Sequence, residues 1–214
     1  KLENINQDKD KNSIINFSFE KQKWFKSIFS IIIITLFSTS ILSLLQSGLP
    51  LDLVKGGIYR EPLNETFSGI ILAFQLCLLL GLQWPIGRWL SKKDVSYGLK
   101  LSLVSLSLGC LLLSISSLLS NGIIIVLISL VLIALGLTSF LPTATESIVR
   151  VSSISNRGIA MALFSQCFGV SSIIAPITSG QIIDKTGNGL LLWLIMFILG
   201  IACLPLTNQV KLVK

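Results

Sequence analysis

The chain has 214 residues, 52% of them hydrophobic and 13% charged, with a mean hydropathy of +0.82 and a formal net charge of +7. A soluble domain carries about 25% charged residues, so this composition lacks the polar surface that keeps a globular domain in water. There is no histidine, which removes Ser-His-Asp and Cys-His triads and the HExxH zinc site together.

The cations lie between apolar runs, without the aromatic-interleaved basic patch that nucleic-acid binding wants, so no nucleic acid is expected as a partner. Cys77, Cys110, Cys167 and Cys203 all fall inside apolar runs and show no CxxC spacing. They read as small packing residues, and no metal or other cofactor is expected. With no phosphate-cradling glycine loop or carboxylate pair at membrane depth, an enzyme is not expected either.

In chain order, residues 1–26 are polar and mixed in charge, ending in the basic anchor Lys21-Gln-Lys-Trp-Phe-Lys26. This segment reads as flexible and cytoplasmic, too polar for a signal peptide. A span of about 20 apolar residues crosses a bilayer, and residues 27–206 hold six such runs. The first, Ser27 to Leu49, carries a polar stripe of Thr39, Ser43 and Gln46 and is expected to end at Pro50. The second, Thr66 to Trp84, has Gln75 at its middle. A basic turn follows, Gln83 to Lys93, with Trp84 and Trp89 at headgroup depth.

The third span, Tyr97 to Leu119, has a small-residue stripe of Gly98, Ser102, Ser105 and Gly109 that would let another helix come close. The fourth, Gly122 to Leu141, is almost purely aliphatic and is expected to close at Pro142. Glu146 and Arg150 stand four residues apart in the polar interlude after it. The fifth, Ile159 to Ile183, interleaves Ser165, Ser172 and Ser179 with Gly169 and Pro176 and reads as a packing face bent by its proline. The sixth ends near Leu206, and residues 207–214 form a tail.

Cations are retained on the cytoplasmic side of a membrane. With both termini cytoplasmic, the inner side holds fourteen of the 17 Lys and Arg, and only Lys55, Arg60 and Lys185 lie outside. The expectation is an all-α integral membrane protein, six transmembrane helices with both ends inside, in a cell (inner or plasma) membrane.

Gly81-Leu-Gln-Trp-Pro-Ile-Gly87-Arg88-Trp-Leu-Ser-Lys-Lys93 resembles the signature loop between the second and third helices of each half of the major facilitator superfamily. Gly87 and Arg88 match that signature; Ser91 and Lys92 stand where its aspartate and arginine belong, and Lys93 lies near its basic cluster. Ala175-Pro-Ile-Thr-Ser-Gly180 resembles a degenerate form of the family's Gly-Pro-x-x-Gly-Gly motif, and Asn156 to Leu163 resembles the segment leading into that helix. The resemblance runs from about Ser27 to Leu206.

That family has twelve spans in two six-helix halves, so the resemblance implies one half. The basic lead-in, similar to the linker between halves, favours the second. It also implies transport of a small solute by alternating access, with the lipid bilayer and the other half (upstream in the same polypeptide, or a second copy) as partners. The substrate-cavity candidates are Thr39, Ser43, Gln46, Gln75 and Gln166, because mid-membrane amides and hydroxyls are costly unless they meet water or a partner. The cytoplasmic gate candidates are Gly87, Arg88, Lys92, Lys93, Glu146, Arg150 and Arg157, with Arg88 expected to pair with Glu146. Gly169, Pro176 and Gly180 are the packing and hinge candidates. The rival expectation is a membrane scaffold or pigment-protein assembly factor on the same fold, which a cavity sealed by Leu and Ile would favour.

Overall fold

The computed structural model describes residues 2–210, with side chains from 27 to 210 apart from that of Ser155. The helices are α1 (Leu2–Lys55), α2 (Glu65–Leu90), α3 (Val95–Ser116), α4 (Gly122–Val151), α5 (Arg157–Thr186), α6 (Leu190–Cys203) and a short α7 (Leu206–Val210), with a single 3-10 turn at Ile154–Asn156. No strand occurs among the described residues. Six segments are long and apolar enough to cross a membrane, the first being Ser27–Lys55 within α1 and the last Leu190–Val210. The polar lead-in, expected to be flexible, has helical backbone continuous with the first span.

Four prolines, Pro50, Pro85, Pro142 and Pro176, lie inside helices. The expected ends at Pro50 and Pro142 are therefore wrong. A proline removes one backbone bond and crowds the preceding turn, but in a membrane bundle neighbouring elements compensate. Beyond Pro50, Asp52 and Leu53 are fully buried, so tertiary contacts carry α1 on to Lys55. Beyond Pro142, Thr143, Ala144, Ser147 and Ile148 are buried and carry α4 on to Val151. The basic turn is likewise shorter than expected: α2 runs through Gly87 and Arg88 to Leu90, leaving 91–94 as the turn.

Close approach of α3 and α4 follows from their glycines. A Cβ on Gly98 would overlap the Thr143 methyl, one on Gly109 would overlap Ile133, and one on Gly136 would come within 2.7 Å of Leu106 Cγ. Ser102 and Ser105 are buried along the same stripe. Without a hydrophobic drive between helices in lipid, such contacts supply van der Waals attraction that bulkier residues would forfeit.

The α5 face differs from the expected serine stripe. Ala160, Phe164, Cys167, Ser171, Ala175, Ser179 and Ile183 are its buried residues, while Ser165 and Ser172 are exposed. A strict seven-residue recurrence drifts about 20° per repeat around a 3.6-residue helix, so spacing by sevens selected a line that leaves the buried face. Ser171 Oγ, 2.7 Å from Thr39 Oγ1, ties α5 to α1.

In their most apolar windows, α1, α3 and α4 are 61%, 61% and 56% buried, against 17% for α2 and 28% for α5. The core therefore lies along α1, α3 and α4, and the outward faces of α2 and α5 stay open. On them a Cβ at Gly69, Gly81 or Gly87 of α2, or at Gly158, Gly169 or Gly180 of α5, would meet nothing within 4 Å. The packing expected of Gly169 and Gly180 is thus not made within this bundle.

Candidate functional site

A cavity of about 780 Å³ opens between α1, α2, α4 and α5, lined by Ser38, Thr39 and Leu42 of α1, Leu79, Gln83 and Gly87 of α2, Leu137 through Val149 of α4 at intervals, and Phe168 of α5. Its wall is mainly apolar, with Ser38, Thr39, Gln83, Thr138, Thr145 and Glu146 as the polar exceptions. Ser38 Oγ is buried without a hydrogen-bond partner among the described residues.

Of the five expected cavity residues, only Thr39 reaches this wall. Its hydroxyl donates to the Thr35 carbonyl at 2.8 Å, as Ser and Thr in membrane helices commonly do. Ser43 is half-buried, and Gln46 and Gln166 are exposed on the outer faces of α1 and α5. The stripe spacing was right for one helical face, but that face turns past the cavity after its first member. Gln75 is buried, and both its amide oxygen and its nitrogen lack partners among the described residues. A buried, unpaired primary amide is expensive, and Gln75 does not line this cavity.

At the basic end, Glu146 pairs with Arg150 at 2.6 Å, one helical turn along α4, and both side chains are about half exposed or more. The expected Arg88–Glu146 pair is therefore not made in this structure. Arg88 instead lies over the Trp84 ring at 5.7 Å, and Lys93 over Trp89 at 6.0 Å, with Trp89 edge-on to Tyr97. The Glu146–Arg150 pair wins because four-residue spacing brings the two together within one helix. Gly87 and Glu146 both line the cavity, so Arg88 adjoins the same mouth. Lys92 and Arg157 are exposed.

The opposite end holds a feature that sequence reasoning missed. Asp52 and Arg60, both beyond the expected end of the first span at Pro50, are buried to 0% and 2% exposure and form an ion pair at 3.0 Å. Arg60 also donates to Ser116 Oγ at 2.7 Å and to the Asp52 carbonyl at 3.0 Å. Asp52 accepts from the Gly189 N–H at 2.9 Å and from Trp193 Nε1 at 3.0 Å. The network clamps the end of α1 to α3 and α6, and a Cβ on Gly189 would overlap the Asp52 carboxylate. Outside it, Lys55 bonds Asp184. The available signal was Asp52 itself, three residues beyond the fully buried Leu49 on the same apolar helix. We expect Gly189→Ala to lower the melting temperature in detergent by several degrees, since the carboxylate must move from two donors at once.

The missed cavity residues have their own signal. Thr138 and Thr145 stand seven apart around Pro142, in a hydroxyl-rich stretch that also holds Ser139 and Thr143 after the aliphatic run of α4.

Six helices long and apolar enough to cross a bilayer define an integral membrane protein. Residues 24–209 match the family model of the Major Facilitator Superfamily, and the chain belongs to that family. Membership implies membrane transport; members are in general transporters rather than enzymes. No curated protein and no solved structure matches the chain.

Proposed function

We propose that this chain is one six-helix half, the second, of a secondary transporter that moves a small solute by alternating access between two such halves. The observation that carries the reading is the 780 Å³ cavity between α1, α2, α4 and α5. Two of its walls, α2 and α5, are the least buried helices of the bundle, which leaves room for a second half beside them. The open glycines of α2 and α5 support the same reading, because small residues in membrane helices mark where other helices approach. Gln46 and Gln166, on exposed faces, would then meet the other half or the water between.

Both termini are assigned to the cytoplasm of a cell (inner or plasma) membrane. Two of the three outer cations, Lys55 and Arg60, are neutralised in ion pairs with Asp184 and Asp52, which sharpens the charge asymmetry. Gly87, Arg88, Lys92, Lys93, Glu146, Arg150 and Arg157 are assigned to the cytoplasmic gate, with Glu146 exchanging Arg150 for Arg88 as the gate changes state. Such half-exposed pairs are worth at most about 1 kcal/mol, small enough to break in each cycle. Arg88→Glu should abolish uptake, and adding Glu146→Arg should restore part of it; no rescue would retire the pairing.

The reading is tested by Gly169→Leu. The substitution meets open space in this bundle, so the melting temperature should stay within about 2 °C of the parent. Uptake into proteoliposomes should fall at least about tenfold through lost close approach of the other half. Undiminished uptake would remove α5 from the contact between halves.

A further inference from the structure

The polar groups on the α4 wall are almost all acceptors. Thr138 Oγ1 donates its proton to the Ala134 carbonyl at 2.7 Å, and Thr145 Oγ1 donates to the Leu141 carbonyl at 2.8 Å. A hydroxyl has one proton and two lone pairs, so each then offers only acceptor capacity. Pro142, on the same wall, has no N–H for the Thr138 carbonyl four residues earlier, which leaves that oxygen without its helical donor. Glu146 adds a carboxylate. Residues 138, 142, 145 and 146 lie at helical spacing on one face, so these acceptors form a single stripe.

Donors are few beside it: the Gln83 amide and the Ser38 hydroxyl on the facing helices. Among the described residues no Lys or Arg lines the cavity, and the remaining wall is aliphatic with Phe140 and Phe168.

Resting on the transport reading above, we propose that the solute is an amphipathic organic cation, an ammonium group carried on an apolar body. The three ammonium N–H groups bond the Thr138 carbonyl, the Thr145 hydroxyl and the Glu146 carboxylate, and the apolar body lies against the leucines and phenylalanines. An anion would meet a wall of lone pairs with no Lys or Arg among its lining residues, and a carboxylate whose only counter-charge in this structure is Arg150 of the same helix. Arg150 then acts as a competitor, because it holds Glu146 Oε1 at 2.6 Å when no solute is bound.

The test is equilibrium binding of phenethylammonium and of hydrocinnamate, similar in size and opposite in charge, to the full-length protein in proteoliposomes. The ammonium should bind at least several-fold more tightly. Glu146→Gln should weaken it by roughly three- to fivefold, the range for a half-exposed charge contact, and Arg150→Gln should strengthen it by a similar factor. Pro142→Ala, which gives Thr138 its backbone donor back and favours the helix, should weaken binding without loss of fold.

Opposite signs for Glu146→Gln and Arg150→Gln separate solute binding from a structural ion pair, which both variants would break alike. Hydrocinnamate binding as tightly as the ammonium would overturn the substrate class and leave the transport reading standing. Shifts of equal sign, or no binding of either probe at millimolar concentration, would also overturn it. Failure of the transport reading shows separately, as a cavity that water-borne reagents never reach.

Discussion

Arg60→Ala should destabilise the bundle by about 3–5 kcal/mol, the usual cost of leaving one partner of a buried ion pair uncompensated. Asp52 is fully buried, so its carboxylate would keep only the Gly189 and Trp193 donors once the guanidinium is gone. Asp52→Asn should cost a similar amount, because it strands the charge of Arg60 beside Ser116. Replacing both at once, Asp52→Leu with Arg60→Met, should cost less than the sum of the singles. It should not reach the parent stability, because the Trp193 and Gly189 N–H groups would still lack an acceptor. Thermal or denaturant unfolding in detergent measures all three, and an Arg60→Ala melting curve superposed on the parent's would remove the clamp from the account.

Gly109→Val should cost about 2–3 kcal/mol, at the upper end for overpacking, because its side chain would occupy the space of Ile133 on α4. Valine is a better helix former than glycine, so a loss of stability reports packing and not propensity. The same substitution at Gly169 meets nothing within 4 Å and should change stability by no more than about 0.5 kcal/mol. Equal losses at the two glycines would contradict the division between a close-packed α3–α4 seam and an open α5 face.

The spans and the α3 glycine stripe were legible because they depend on local hydropathy and on residue size at helical spacing. Gly98 and Gly109 sit where that spacing puts them, against Thr143 and Ile133. Helix ends were less legible. Pro50 and Pro142 favour termination, but burial of residues beyond them overrides that local preference.

The Asp52–Arg60 clamp was out of reach for a different reason. Its partners Ser116, Gly189 and Trp193 lie far along the chain, and an eight-residue separation of opposite charges in a short loop ordinarily means two solvated side chains. Of the cavity, only the Thr39 edge was legible from polar residues in apolar runs. Thr138 is hidden in an aliphatic run and Thr145 lies beyond the expected end at Pro142, while Gln46 and Gln166 turn outward on faces that no single-helix periodicity identifies.

Thiol accessibility at Gln83 tests the central claim most directly. In a background with all four cysteines replaced, Gln83→Cys in proteoliposomes is exposed to a membrane-impermeant methanethiosulfonate from each side in turn. The account predicts reaction through water from the cytoplasmic side, at the mouth beside Gly87 and Glu146, and slower reaction when transported solute is present. A thiol unreactive from both sides would mean a cavity sealed in lipid or protein, and the alternating-access reading would be contradicted.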